Sequence, residues 1–140
     1  MRIATGDSLA TLGGYDLVTG FTGIDKLDLA STVIAVNVTE ADGIDSVVIR
    51  SHSISNGIIS FDDINNYTAP LAISASTNLA NVFSYLQTNI TDGNTVAFVA
   101  ENNTYVFQDG GVTDTLVELL GVTATSVNNT GLTASSVWVI

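Results

Sequence analysis

The sequence contains no cysteine, which excludes disulfides and thiolate-held metal sites. It has one proline, Pro70, and apolar residues throughout, so extended disorder is not expected. Lysine and arginine together number three, against fourteen aspartates and glutamates, which leaves a formal charge of −11. A field of that sign repels nucleic acid and anionic membrane surfaces and attracts cations. No apolar run reaches the roughly 18 residues of a membrane-spanning helix. No apolar leader follows Met1 and Arg2. Charged residues of both signs make up only 12% of the chain, so solubility rests on Ser, Thr, Asn and Gly. Such a composition suits an extracellular bacterial protein, where divalent cations neutralise the acids.

What is present is apolar and β-prone. At 140 residues and 46% hydrophobic content, the chain can bury the core of a single domain, 1–140. Val, Ile, Thr, Phe and Tyr recur in short runs separated by Gly, Asn and Asp, the pattern of a mainly β fold. Strands are predicted at 32–39, 45–51, 57–61, 94–100, 103–109, 114–120 and 136–140. Those at 94–100 and 103–109 form a hairpin about ENNT, and the strands are expected to be antiparallel and half-buried. One amphipathic helix is predicted at about 78–90. Leu79, Val82, Phe83, Leu86 and Ile90 fall on one face, Ser76 or Thr77 caps the start, and Asp92-Gly93 supplies the stop. The fold class expected is therefore mainly β: a β-sandwich or the capped end of a β-roll, with one helix over an open sheet face.

Catalytic chemistry is poorly supplied. His52 is the only histidine, in RSHSIS between two predicted strands, and a lone histidine without a nucleophile motif is usually structural. No serine lies in a GxSxG elbow. Asp62 and Asp63 are adjacent, so on a strand they point to opposite faces rather than to one substrate. No Gly-rich phosphate loop leads to a lysine. Enzyme activity is not expected.

Calcium is the better-supplied chemistry. It takes six to eight oxygens, and Asp beside Gly lets carboxylates and backbone carbonyls turn inward together. Three segments qualify: 6–16, 23–28 and 108–114. They give Asp7, Asp16, Asp25, Asp28, Asp109 and Asp114 as candidate metal ligands. None of the three matches an EF-hand loop.

Two blocks carry a resemblance. GGYDLVTGFTGIDKLDLA resembles the segment that follows the calcium-binding nonapeptide repeats of RTX-type exported proteins and closes their β-roll. Asp16, Val18, Phe21, Gly23, Asp25, Lys26, Leu27, Asp28 and Leu29 fill its places, while Gly20 stands where that pattern has a second acid. NTVAFVAENNTYVFQDGGVTDTLVELLGVTATSV is similar to the tail of type I–secreted bacterial surface proteins, S-layer proteins and large adhesins among them. Thr104 to Gly110 and Asp114 to Val122 fit that tail closely, and residues 136–140 give its apolar ending. Residues 31–93 carry no such likeness.

The resemblance implies a non-catalytic C-terminal secretion-signal and folding module, secreted to the bacterial cell surface. Residues 1–30 would cap preceding repeats of the same polypeptide, and 94–140 would be read by the type I export machinery. Calcium would drive folding outside the cell, and neighbouring surface-layer chains are possible partners. Nucleic acid and a membrane span are not expected. The alternative is an adhesive or lattice-forming module that binds another protein chain or a surface glycan.

Overall fold

The computed structural model describes residues 1–31, 33–132 and 136–140. It is mainly β, with two sheets and one short helix. The strands are β1 (Asp16–Val18), β2 (Lys26–Asp28), β3 (Val33–Ile34), β4 (Val38–Asp42), β5 (Ser51–Ser55) and β6 (Ile58–Asp62). Helix α1 (Leu79–Asn89) follows, then β7 (Asn94–Ala100), β8 (Asn103–Gln108), β9 (Thr115–Leu119), β10 (Val127–Asn128) and β11 (Ser136–Val139).

The large sheet has the order β1-β9-β8-β7-β6-β5-β4, with β3 also pairing β7. The hairpin β7–β8 and its neighbour β9 are antiparallel, as expected, whereas β1–β9, β3–β7 and β6–β7 are parallel. The small sheet runs β10-β11-β2 and is antiparallel.

Three layers result, with a core on each side of the large sheet. Val96, Phe98, Tyr105, Phe107 and Leu116 face α1, whose Leu79, Val82, Phe83 and Leu86 cover them. Ala97, Val106, Val117 and Leu119, on the alternate positions of the same strands, face the small sheet, where Leu27, Val127, Val137 and Val139 close the second core. The strands β7, β8 and β9 are therefore buried on both faces rather than half-buried. A sheet covered on both sides loses the polar alternation of an open one. Leu116 and Glu118 do share a face; Glu118 is a buried polar residue there.

The helix takes the predicted face, and Tyr85 joins it. Its start differs from expectation. Asn78 is the N-cap, without a side-chain bond into the first turn, because its Oδ1 accepts from Ser74 N at 2.7 Å. The predicted strand 45–51 is instead the β4–β5 connection. Ser46 closes a tight turn on Ile49, its N–H donating to Ile49 O at 2.9 Å and its Oγ accepting from Ile49 N at 3.2 Å. The strand begins only at Ser51, so His52 lies within β5 rather than between strands. The predicted strand 32–39 breaks into β3 and β4 because the chain leaves β7 for the far edge of the sheet. Thr32 itself lies outside the described residues.

Candidate functional site

The two blocks that carry the resemblance are folded onto each other. Asp16, Leu17 and Val18 pair in parallel with Val117, Glu118 and Leu119. Lys26, Leu27 and Asp28 pair antiparallel with Trp138, Val137 and Ser136. Each block thus contributes a strand to both sheets. Phe21 and Leu29 are buried in the core between them.

Besides β3 and the helix, the middle segment meets this pair through the β5–β6 hairpin. Asn56 and Gly57 both have positive φ, 52° and 75°, the backbone of a two-residue turn matched to strand twist. The turn presses on β10. Val127 N donates to Asn56 O at 2.8 Å, and a Cβ on Gly57 would stand 2.8 Å from Val127 O. The Asn-Gly pair between SHSIS and IISFD is the signal that marks this hairpin in the sequence.

The six aspartates proposed as calcium ligands are spread over several places. Asp7 Oδ2 accepts from Ala4 N at 3.2 Å in an exposed turn. Asp25 Oδ2 accepts from Thr22 N and Oγ1 at 2.9 and 2.8 Å, and these bonds hold its carboxyl below the usual range. Asp16 opens β1, where Ser8 Oγ accepts from its N–H at 2.6 Å while donating to Leu116 O. Asp28 lies on the outer side of the small sheet.

Only Asp109 and Asp114 are brought together. Asp109 Oδ1 accepts from Gly111 N at 2.7 Å, and Asp114 Oδ1 accepts from Gly110 N at 3.1 Å. Burial raises the Asp109 pKa, and the charges of Asp114 and Asp92 add to the shift. Among the described residues no group of three or more His, Asp or Glu is arranged to hold a metal ion. Of the six, Asp109 and Asp114 alone share one loop whose backbone N–H groups both engage.

Three polar constellations went unforeseen. Asp62, at the end of β6, holds the following loop: Oδ2 accepts from Thr68 N, Thr68 Oγ1 and Ala69 N at 2.8, 3.1 and 3.0 Å, and Oδ1 from Asp63 N at 2.8 Å. The backbone bonds from Thr68 and Ala69 pull its pKa down to about 2. His52 Nδ1 shares a 2.9 Å hydrogen bond with Tyr85 Oη, joining β5 to the helix. Burial lowers the His52 pKa and pushes Tyr85 up to about 12. Glu118 Oε1 accepts from Tyr105 Oη and Asn103 Nδ2 at 2.9 and 2.6 Å, tying β8 to β9 under the helix layer. Asp62 and Glu118 accept from donors that the fold brings to them, and the His52–Tyr85 bond joins elements 33 residues apart, which a reading of spacing alone does not reveal.

Among the described residues no helix is long and apolar enough to cross a membrane. No protein-family model, curated protein or solved structure matches the chain.

Proposed function

We propose that this chain is the C-terminal secretion-signal and folding module of a type I–exported, calcium-dependent bacterial surface protein, without catalytic activity. The observation that carries the reading is the pairing of residues 16–18 and 26–28 with 117–119 and 136–138. The block that resembles a β-roll closing segment and the block that resembles an export tail each supply strands to both sheets. An exporter would read the unfolded C-terminal part inside the cell. Outside, the same residues would supply the central strands and close the fold, so folding would draw the segment out of the exporter's reach.

Fusion to the C-terminus of a passenger enzyme, in cells carrying a type I exporter, tests this. The passenger should reach the medium with the whole chain and stay inside when residues 94–140 are removed. Retention with the whole chain, or export without 94–140, rejects the reading.

Calcium belongs to the proposal as a property of the exported protein. Melting with calcium and with a chelator decides whether this chain takes part. A higher melting temperature with calcium supports it, since a ligand of the folded state stabilises by mass action. An unchanged one removes calcium from the reading and leaves export standing.

The second reading, an adhesive or lattice-forming module, is favoured by the edge strand β4. It has β5 as its one neighbour in the sheet and exposes Thr39, Glu40 and Asp42. An adhesive module would still be exported after removal of 94–140, losing only its binding.

A further inference from the structure

The outer surface of the small sheet carries the only tryptophan and two of the three cations. Leu27, Val127, Val137 and Val139 point into the core, which turns Lys26, Asp28, Asn128, Ser136 and Trp138 outward. The register sets these in rows. Lys26 lies opposite Trp138, which lies opposite Asn128; in the next row Asp28 sits between Ser136 and Arg2.

Two features set this face apart. Among the described residues neither Arg2 nor Lys26 makes an ion pair, although the chain carries fourteen acids; Arg50, by contrast, stands 3.8 Å from Asp45. The Trp138 ring is also fixed in place. Its Nε1 donates to Thr130 O at 3.2 Å, and the Lys26 ammonium lies 5.3 Å from the ring centroid. Beside this platform runs a groove of about 530 Å³ between residues 2–5 and 28–30, with Arg2, Thr5 and Asp28 on its walls. That volume is ordinary for a small-ligand site. Arg2 and Trp138 are about 12 Å apart on strand spacing, the span of a short oligosaccharide.

We infer that this face binds a saccharide carrying an isolated carboxylate, its ring against Trp138 and its carboxylate on Arg2 or Lys26. A guanidinium fork matches a carboxylate in two parallel bonds. With its N–H already engaged and the Lys26 ammonium over the ring, the indole offers a sugar the π surface that Lys26 leaves uncovered, whose negative potential suits the C–H edge of a sugar ring. Asn128, Ser136, Thr5 and Asp28 supply donors and acceptors for hydroxyls. A protein partner fits less well, because these outward positions hold no aliphatic side chain to form an apolar interface core. A densely charged polyanion would meet the −11 field of the chain. A single carboxylate instead meets one cation that has no ion-pair partner, with Asp28 the acid of this face nearest to it; acids beyond about 8 Å are screened at physiological salt.

The test is a titration with trisaccharides containing one uronate, and with their carboxyl-reduced counterparts, followed by the fluorescence of the lone Trp138 and by calorimetry. Saturable binding is expected, weaker by about tenfold or more for the reduced forms. Arg2→Ala or Lys26→Ala, whichever cation holds the carboxylate, should weaken binding at unchanged melting temperature, and Trp138→Ala should abolish it. Should Trp138→Ala not fold, the two exposed cation variants decide. No saturable binding by any uronate trisaccharide, equal affinity for the reduced forms, or indifference to the cation variants overturns the assignment. Self-association abolished by the same variants, without saccharide binding, assigns the face to protein contacts and overturns it too. None of these outcomes bears on export.

Discussion

Leu27 and Val137 lie directly opposite each other in the ladder joining β2 to β11, and neither exposes any surface. This contact seals the second core between residues far apart in sequence. Leu27→Ala is expected to cost about 2–5 kcal/mol, and Val137→Ala about 2 kcal/mol. Because the side chains touch, the double variant should depart from the sum of the two by about 0.5 kcal/mol or more. Urea titration of the four proteins measures the coupling, and strict additivity would show that the contact is not made.

Gly57→Ala places a methyl group at positive φ and against the Val127 carbonyl at once. The expected loss is about 1–3 kcal/mol. Amide exchange should also quicken at Val127, whose N–H donates to Asn56 O across the same contact. A variant as stable as the parent, with Val127 still protected, would mean that the turn does not press on β10.

His52 gives a pH dependence of defined sign. Burial lowers its folded pKa below the ordinary 6.5. The neutral ring therefore favours folding fully above pH ~6.5, and that contribution is lost as pH falls through the lower folded value. Tyr85 faces the ring from the helix, and the charges of Asp42 and Asp45 reach Tyr85. Melting temperature should fall between pH 7 and 5, and His52→Gln should flatten that slope. An equal slope in the variant would remove His52 from the account.

Asp62 and Asp109 should respond to acid in opposite directions. The Asp62 pKa of about 2 lies below the unfolded value, so its contribution is whole above pH ~4 and disappears as pH falls toward 2. The Asp109 pKa is raised, so its carboxylate opposes folding at neutral pH and ceases to once protonated. Asp109→Asn keeps an oxygen for Gly111 N and removes the repulsion from Asp92 and Asp114, and is expected to raise the melting temperature at pH 7. Asp62→Asn should lower it and quicken amide exchange at Thr68 and Ala69. Matching signs for the two variants would contradict either the hydrogen bonds to Asp62 or the burial of Asp109 beside Asp114 and Asp92.

The sequence made the helix legible because Leu79, Val82, Phe83, Leu86 and Ile90 bury one face, and helical period records burial directly. The hairpin at 94–108 was legible through its β-branched and aromatic runs on either side of a polar turn. Layering was not. Alternation tells how many faces of a strand are covered only when one face is polar, and Thr95, Thr104 and Gln108 are polar residues buried by hydrogen bonding. Nor did spacing show that β1 belongs to the sheet of β9 while β2 belongs to that of β11. Pairing between remote segments, parallel for β1–β9 and antiparallel for β2–β11, leaves no local mark. The candidate acids were found by their glycine neighbours, yet Asp62, with no glycine beside it, holds the most hydrogen bonds of any carboxylate described above.

The centre of the large sheet is made by β7, β8 and β9, strands that follow the helix in the chain. Everything synthesised before residue 94 lacks the template on which β1, β3 and β6 align. Contacts of such long sequence separation close slowly, because loop entropy is lost before they form. A nascent chain is therefore without these pairings until β7, β8 and β9 have been made. Whatever captures it in that interval competes with folding through time rather than through affinity.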